Sequence, residues 1–522
     1  MSTTTTGRAG AREWGGLAVL SLPTVLLGLD VTVLYLTLPS LAEDLRPSGT
    51  QELWIMDAYG FLIAGFLLTM GTLGDRIGRR RLLMIGAAAF GIVSVLAAYA
   101  TSADMLIAAR AALGVAGATL MPSTLALISN MFSDQRQRSL AIGVWATSFA
   151  LGMALGPVVG GVMLDHFWWG SVFLLAVPVA IVLLVSAPLL IPEYSAPQSG
   201  RFDLTSVALS LLAILPVVYA VKRFAKDGFD LPMIAAAVIG VVFAVLFVRR
   251  QGKLESPLLD VRLFADRTFS SALSVLLVGL VGVGGSMLLI TQQLQFVEGL
   301  QPVEAGLWMG PPALLMFLAA IGSPLVARRV PPGLVVAATL MLSTVGYVLL
   351  ALVGSSGGIA LMVVGFGLVY LGLGAIAALG TDLVVGAAPP EKAGSASAMS
   401  ETVQELGLAL GVAILGSLAT AIYRSRIDDE IPAGTPADVA DAAGDSLAGA
   451  VSSAQQMPAG WLDLAKEAAT SGMNTAMVVA AVCTVVLSIL SAVVLRHVGA
   501  ISNEPEAASE AAPQAEPAKS RA

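Results

Sequence analysis

Cysteine is almost missing from this chain of 522 residues, where Cys483 stands alone. A single thiol excludes a disulfide framework and any multi-thiolate metal site. Histidine occurs only at His166 and His497. The two stand far apart along the chain, so a histidine metal cluster or a Ser–His–Asp triad is not expected, and with them neither a metal site nor an enzyme. Charge is also scarce. Asp, Glu, Lys and Arg make up 12% of the chain, against ~25% in a soluble domain. None of the six lysines sits in a GxxxxGK[ST] loop, so an ATP site and an ATPase partner are not expected. The net charge of −7 and the lack of a basic tract exclude nucleic acid as a partner.

Apolar residues take the place of charge. They form 57% of the chain, and the mean hydropathy is +0.85. The pattern is that of an all-α integral membrane protein, with the lipid bilayer as a partner. Fourteen apolar spans are long enough for a hydrocarbon core ~30 Å thick: 14–38, 52–71, 82–101, 104–129, 138–163, 169–191, 203–221, 231–248, 270–295, 304–327, 333–353, 358–382, 396–422 and 473–495. The first is too long for a signal peptide, has no cleavage site after it, and is expected to remain as a helix. Segments on the N-terminal side hold twenty Lys and Arg against seven on the other, with Arg110 inside a span. The bias predicts that both termini are cytoplasmic. Lys222, Arg223 and Lys226 are the outward exception.

An internal repeat predicts a two-bundle design. LGMALG (Leu151 to Gly156) returns as LGLALG (Leu406 to Gly411), and Gly117 and Gly372 keep the same offset of 255 residues. The expected organisation is a disordered N-terminus at 1–11, a six-helix bundle at 12–191, two inserted transmembrane helices at 203–248, and a second six-helix bundle at 270–495. A disordered cytoplasmic tail is expected at 502–522. The second bundle carries one long outward loop, 424–472, with Asp428, Asp429, Glu430 and the helical pattern WLDLAKEAA. It is either a cover for the outer mouth or a solvated spacer.

Ionisable groups inside a bilayer cost roughly 2.5–3.5 kcal/mol on insertion scales and suggest function. The candidates are Asp30, Asp57, Arg110, Glu401 and Glu405, whereas Asp382 lies too near a span end. At 1.5 Å per residue, Asp30 lies ~12 Å deep, Asp57 ~8 Å and Arg110 ~9 Å, in one layer of the outer half. Glu405 lies ~14 Å from the other side, with Glu401 one turn below it on the same face. Low dielectric disfavours a charged carboxylate, so a proton and a cation compete for such a site. A purely structural pair of Arg110 with Asp30 or Asp57 is the competing reading. Aromatics that could line a cavity for a cation are Tyr35, Trp54, Tyr59, Trp145 and Phe149. Trp168 and Trp169 read as interface anchors.

Two glycine-rich motifs suggest conformational roles. GTLGDRIGRRR runs from Gly71 to Arg81, with Gly71, Gly74, Asp75, Arg76, Gly78 and Arg79 at its core. Its glycines permit a tight turn, Asp75 can meet a helix N-terminus, and the arginines can pair with acids of the facing bundle or with phosphate headgroups. GMALGPVVGG carries Gly152, Gly156, Pro157, Gly160 and Gly161. Small residues let helices approach, and Pro157 removes a backbone hydrogen bond and permits a bend. Val412 stands at the repeat position, so a proline kink is expected in the first bundle only. GLVGVGG (Gly279 to Gly285) lacks a strand–helix context and reads as packing.

The first of these motifs resembles motif A of the major facilitator superfamily. LDVTVLYLTLP (Leu29 to Pro39) resembles the first-span motif of its fourteen-span drug:proton antiporters. LIAARAALGVAGA (Leu106 to Ala118) resembles motif B, with Arg110 at the basic position, and GMALGPVVGG is similar to motif C. Within that family the chain most resembles the QacA/SmvA-type branch, on Asp30, WIMDAYG (Trp54 to Gly60) and ETVQE (Glu401 to Glu405). It departs at Leu113, where motif B has Gln, at Tyr35 and Thr37, and in having no acid in the tenth span.

The resemblance implies a major facilitator fold in a bacterial cytoplasmic membrane. It implies efflux of lipophilic cations, such as quaternary ammonium compounds and dyes, driven by the proton gradient without a cofactor. Asp30, Asp57, Arg110 and Glu405 would couple protons. Glu401, with the aromatics above, would join Asp30, Asp57 and Glu405 in binding substrate. Asp75 and Arg76 would stabilise a cytoplasmic gate. The rival expectations are export of a neutral or anionic metabolite or natural-product antibiotic, and a membrane sensor or scaffold that moves nothing.

Overall fold

The computed structural model describes residues 9–132, 134–194, 203–254, 257, 261–388, 393–427, 430–431, 435–458 and 460–497. The segments expected to be disordered, 1–11 and 502–522, lie largely outside them, as do Asp428 and Asp429 and the side chains of Asp75, Lys222 and Lys226.

All the described regular elements are helices. Fourteen long rods coincide with the apolar spans. They are α1 Ala11–Leu45, α2 Gly49–Ile77, α3 Arg79–Ala98, α4 Ala103–Met131, α5 Gln135–His166, α6 Ser171–Leu190 and α7 Leu204–Asp227. The rest are α8 Leu231–Gln251, α9 Arg267–Val297, α10 Pro302–Ala327, α11 Pro332–Ala351, α12 Ile359–Gly386, α13 (Ala393–Gly411, Val412–Gly416 and Ser417–Ile427) and α14 Trp461–Val494. Eleven are long and apolar enough to cross a membrane, or twelve with the bent α5. That is fewer than the expected fourteen. Helix starts carry the caps their sequences offer: Ser48, Ser102, Asp134, Asp203, Asp230 and Asp266 each accept a first-turn backbone N–H.

The same adjacencies recur eight helices apart. α1 packs on α5 and α9 on α13; α2 on α4 and α10 on α12; α3 on α6 and α11 on α14. The repeated glycines explain the first of these. A Cβ on Gly152 or Gly156 would strike Val25 O or Thr32 Oγ1 of α1, and a Cβ on Gly407 or Gly411 would strike Leu277 O or Val281 O of α9. Two seams join the halves, α5 on α10 and α2 on α13. α7 lies across the second seam and carries α8 on its back. Leu211 of α7 reaches Gly65, while Ile214 and Leu215 pack with Phe61, Trp54 and Ala409. Outward apolar residues such as Ile92, Val185 and Val486 are 60–65% exposed, as expected of surface facing lipid tails rather than water.

One end of the bundle holds the turn at Arg46, the other the turn at Gly78. The segment between α13 and α14 folds over the Arg46 end as helices Ala437–Asp445 and Leu447–Ser453. Its own small core joins Leu447, Ala450, Trp461 and Ala465 to Phe296 of α9 and Tyr423 of α13. The Tyr423 hydroxyl donates to Ala443 O (2.7 Å), and Asp445 pairs with Arg424 and accepts from Gly49 N of α2 (2.5 Å). WLDLAKEAA is thus the first turns of α14, not a separate helix within the loop.

Candidate functional site

Asp30 of α1 and Arg110 of α4 meet in the interior, with Arg110 Nη1 2.7 Å from Asp30 Oδ2. Arg110 is 2% exposed and Asp30 7%. Arg110 Nε also donates to Ile55 O (3.2 Å), and its Cζ stands 4.5 Å from the centre of the Tyr59 ring. The guanidinium is held by a carboxylate, a carbonyl and an aromatic face. Arg110 lines a cavity of about 30 Å³ between α1, α2, α4 and α13. Tyr35, Asp57 and Tyr59 line that cavity from the first half, and Glu405 from the second, with Met56, Leu408 and Val412 as apolar wall. Such a volume holds about two or three waters at ~10–15 Å³ each.

The other expected residues are elsewhere. Glu401 is buried one turn from Glu405 but does not line the cavity. Trp145 donates from Nε1 to Thr124 Oγ1 (3.0 Å). Trp54 packs in the apolar cluster under α7, and Phe149 packs against the main core, its carbonyl 2.3 Å from a Cβ built on Gly28. Trp168 Nε1 donates to Ala98 O and Trp169 Nε1 to Asp44, at the Arg46 end.

The motif GMALGPVVGG lies between both halves. Pro157 has no N–H, so the carbonyl of Met153 loses its helical donor. Thr32 of α1 supplies one, its hydroxyl donating to Met153 O at 3.1 Å. α5 bends there by 41° between Leu140–Met153 and Leu155–His166. Gly160 faces Val33 of α1, whereas a Cβ on Gly161 would stand 2.6 Å from Val303 Cα of α10. Gly306 of α10 in turn faces Pro157 O. At the repeat position α13 has no proline but a π-turn, Val412–Gly416. Thr32→Val should leave the Met153 carbonyl bare and lower stability by about 1–3 kcal/mol, with Thr32→Ser close to wild type. Thermal unfolding in detergent is the check; equal midpoints for Val and wild type would contradict it.

The motif around Gly78 closes on its own half. Gly78 has φ 107°, and Glu193 stands 2.6 Å from where its Cβ would be, so only glycine fits this turn. Glu193 pairs with Arg80 and Arg81 (3.7 and 3.8 Å), and Arg80 Nη1 donates to Ile191 O. Arg79 is buried over Gly74 and reaches Pro122 O (3.4 Å), Gly71 also faces Pro122, and Arg76 is exposed. Among the described residues, Arg80 and Arg81 thus pair with an acid of their own half rather than of the facing bundle.

The family model of the Major Facilitator Superfamily matches residues 20–412. The chain belongs to that superfamily. It is a membrane transporter and not an enzyme. This superfamily member is 43% identical over 499 residues to the multidrug efflux pump LfrA of Mycolicibacterium smegmatis, covering 95% of this chain and 99% of the relative. It is 36% identical to the methyl viologen resistance protein SmvA of Salmonella typhimurium, covering 86% and 90%. Among solved structures, a bacterial homologue of the human lysosomal transporter Spinster, inward-facing and unoccupied, superposes with a TM-score of 0.61 at 18% identity, covering 93% and 98%. That likeness concerns the fold alone.

Met56 and Leu408 carry no mark in the sequence beyond lying inside WIMDAYG and the repeated LGLALG, and Val412 stands out there only as the counterpart of Pro157. Nothing in an apolar residue's type distinguishes a cavity wall from a helix contact. Glu52 was also passed over, being the first residue of an expected span.

Proposed function

We propose that this transporter exports lipophilic cations, including quaternary ammonium compounds and dyes, in exchange for protons. The observation that carries the reading is the charge balance at the central cavity. Asp57 and Glu405 line it, Asp30 stands behind Arg110, and Arg110 is the single cation among the lining residues. Three carboxylates against one guanidinium leave surplus negative charge in a water-poor interior. A buried carboxylate surplus is neutralised by a proton or by a cation. The two ligands exclude one another, which is the requirement for exchange. A cation on Tyr35 and Tyr59 gains about 0.5–2 kcal/mol of cation–π attraction. The names of the relatives, a multidrug efflux pump and a methyl viologen resistance protein, support the class.

A cavity of 30 Å³ is too small for a dye, so loading requires the halves to part. In the present state they touch towards the Arg46 end, at Gly161–Val303, Pro157–Gly306, Leu53–Gly416 and Gly60–Ala409. We take this end as external, with both termini cytoplasmic and fourteen crossings, on the Lys and Arg bias of the loops. Two six-helix bundles then rock around the carboxylates, opening each end in turn. Glu401 and the turn at Gly78 with Arg76 lie on the entry side.

Uptake of ethidium into proteoliposomes under an imposed proton gradient tests this. Asp30→Asn should abolish gradient-driven uptake, and Asp57→Asn should narrow the range of cations moved. Wild-type-like uptake by both variants, or gradient-driven movement of a neutral compound with none of ethidium, would overturn the reading.

A further inference from the structure

We propose that a second cavity, built round Glu52 at the Arg46 end, binds a monovalent organic ammonium ion. This cavity, of about 60 Å³, is twice the size of the central one and shares no lining residue with it. Glu52 is 6% exposed, and its Oε1 is buried with no hydrogen-bond partner among the described residues. Among the described residues no cation lines the cavity; Arg424, at the same end, is held by Asp445. The positive end of α2 favours the carboxylate by only about 0.3–1 kcal/mol and does not replace a donor.

The walls indicate the ligand class. Leu53 of α2, Leu288 of α9 and Leu447 of the covering segment are apolar, Gln292 offers an amide, and Tyr423 adds an aromatic ring. A hard divalent ion takes six or more oxygen ligands; Glu52 is the single carboxylate among the described lining residues, and the side-chain oxygens of Gln292, Gln293, Thr420, Tyr423 and Ser446 are neutral, which suits a monovalent ion better. An ammonium ion with alkyl substituents fits both features: its charge meets Glu52, and its alkyl groups meet the leucines and the ring.

The site is placed one helical turn beyond the central cavity. Glu52 lines the outer cavity and Met56 the central one, while Gly416 and Val412 do the same from the two ends of the π-turn of α13. Leu53 stands between, its Cδ2 3.0 Å from a Cβ built on Gly416. The step from Asp57 to Glu52 is ~7.5 Å along α2. That an exported cation pauses here on its way out rests on the function proposed above; the binding itself does not.

The experiment measures equilibrium binding of radiolabelled tetramethylammonium to the full chain in lipid nanodiscs. In an Asp57→Asn, Glu405→Gln background one saturable site per chain should remain. Adding Glu52→Gln should weaken it at least about tenfold, the loss of ~1.4 kcal/mol. Glu52→Asp should retain it, and Leu447→Trp, which fills the cavity and leaves the charge, should remove it. Unchanged binding in Glu52→Gln or in Leu447→Trp would overturn the proposal. Should the background fail to fold, Glu52→Gln alone should reduce binding by one equivalent per chain, and unchanged stoichiometry would overturn it equally. Failure of the export reading would appear as absent proton-driven ethidium uptake with this binding intact.

Discussion

Arg110→Met is expected to stop ethidium transport and to lower stability by about 3–5 kcal/mol. The variant removes the partner of Asp30 at 2.7 Å and the donor to Ile55 O, and it strands a buried carboxylate with no counter-ion. Arg110→Lys should recover part of the stability, since an ammonium restores charge but not the several donors of the guanidinium. The decisive variant is the double one. Asp30→Asn removes the stranded charge, so Arg110→Met with Asp30→Asn should be more stable than Arg110→Met alone, while still failing to couple protons. Thermal unfolding in detergent and gradient-driven uptake in proteoliposomes read the two effects separately. Strict additivity of the two substitutions would argue that the pair is not coupled in the folded chain.

Gly161→Leu is expected to trap the transporter with the Arg46 end parted and to abolish transport. A side chain there meets Val303 Cα at 2.6 Å and Pro302 O at 2.8 Å, backbone atoms that cannot rotate away. Overpacking of this kind costs about 1–3 kcal/mol, which shifts a two-state equilibrium by roughly 5- to 150-fold. Gly310→Leu on α10 is the control, because a Cβ at Gly310 meets nothing within 4 Å. The check is labelling of Leu53→Cys, in a Cys483→Ser background, by an impermeant maleimide. Labelling should rise in Gly161→Leu and not in Gly310→Leu. Unchanged labelling with unchanged transport would remove the α5–α10 seam from the conformational cycle.

Much of this arrangement could be read from periodicity and charge. Apolar runs coincide with the fourteen rods, of which eleven, or twelve with the bent α5, are long and apolar enough to cross a membrane, because a helix that must shed its polar backbone in lipid announces itself over its whole length. The 255-residue repeat corresponds to a shared packing device, glycines of α5 and α13 against the backbones of α1 and α9. Asp30, Asp57, Arg110 and Glu405 stand out because buried charge is rare, and helix depth alone put the first three in one layer. Less visible were the contacts that depend on which neighbour a helix meets. Trp145 and Trp54 have the right chemistry to line a cation site, but Thr124 and the α7 cluster take them. Arg80 and Arg81 could meet an acid on either half in principle, and Glu193 of their own half takes them. Glu52 was hidden by a boundary: its burial depends on Leu447 and its neighbours folding back from nearly four hundred residues away, for which local sequence carries no signal.

The central claim is that a proton and a cation compete for one set of buried carboxylates. It is tested most directly by adding ethidium to the purified full-length transporter in weakly buffered detergent and following the bulk pH with an indicator. The account predicts proton release that saturates together with ethidium binding, is reduced in Glu405→Gln and Asp57→Asn, and is absent when a neutral compound is added. Saturable ethidium binding without proton release, across the pH range where the protein is folded, would contradict it.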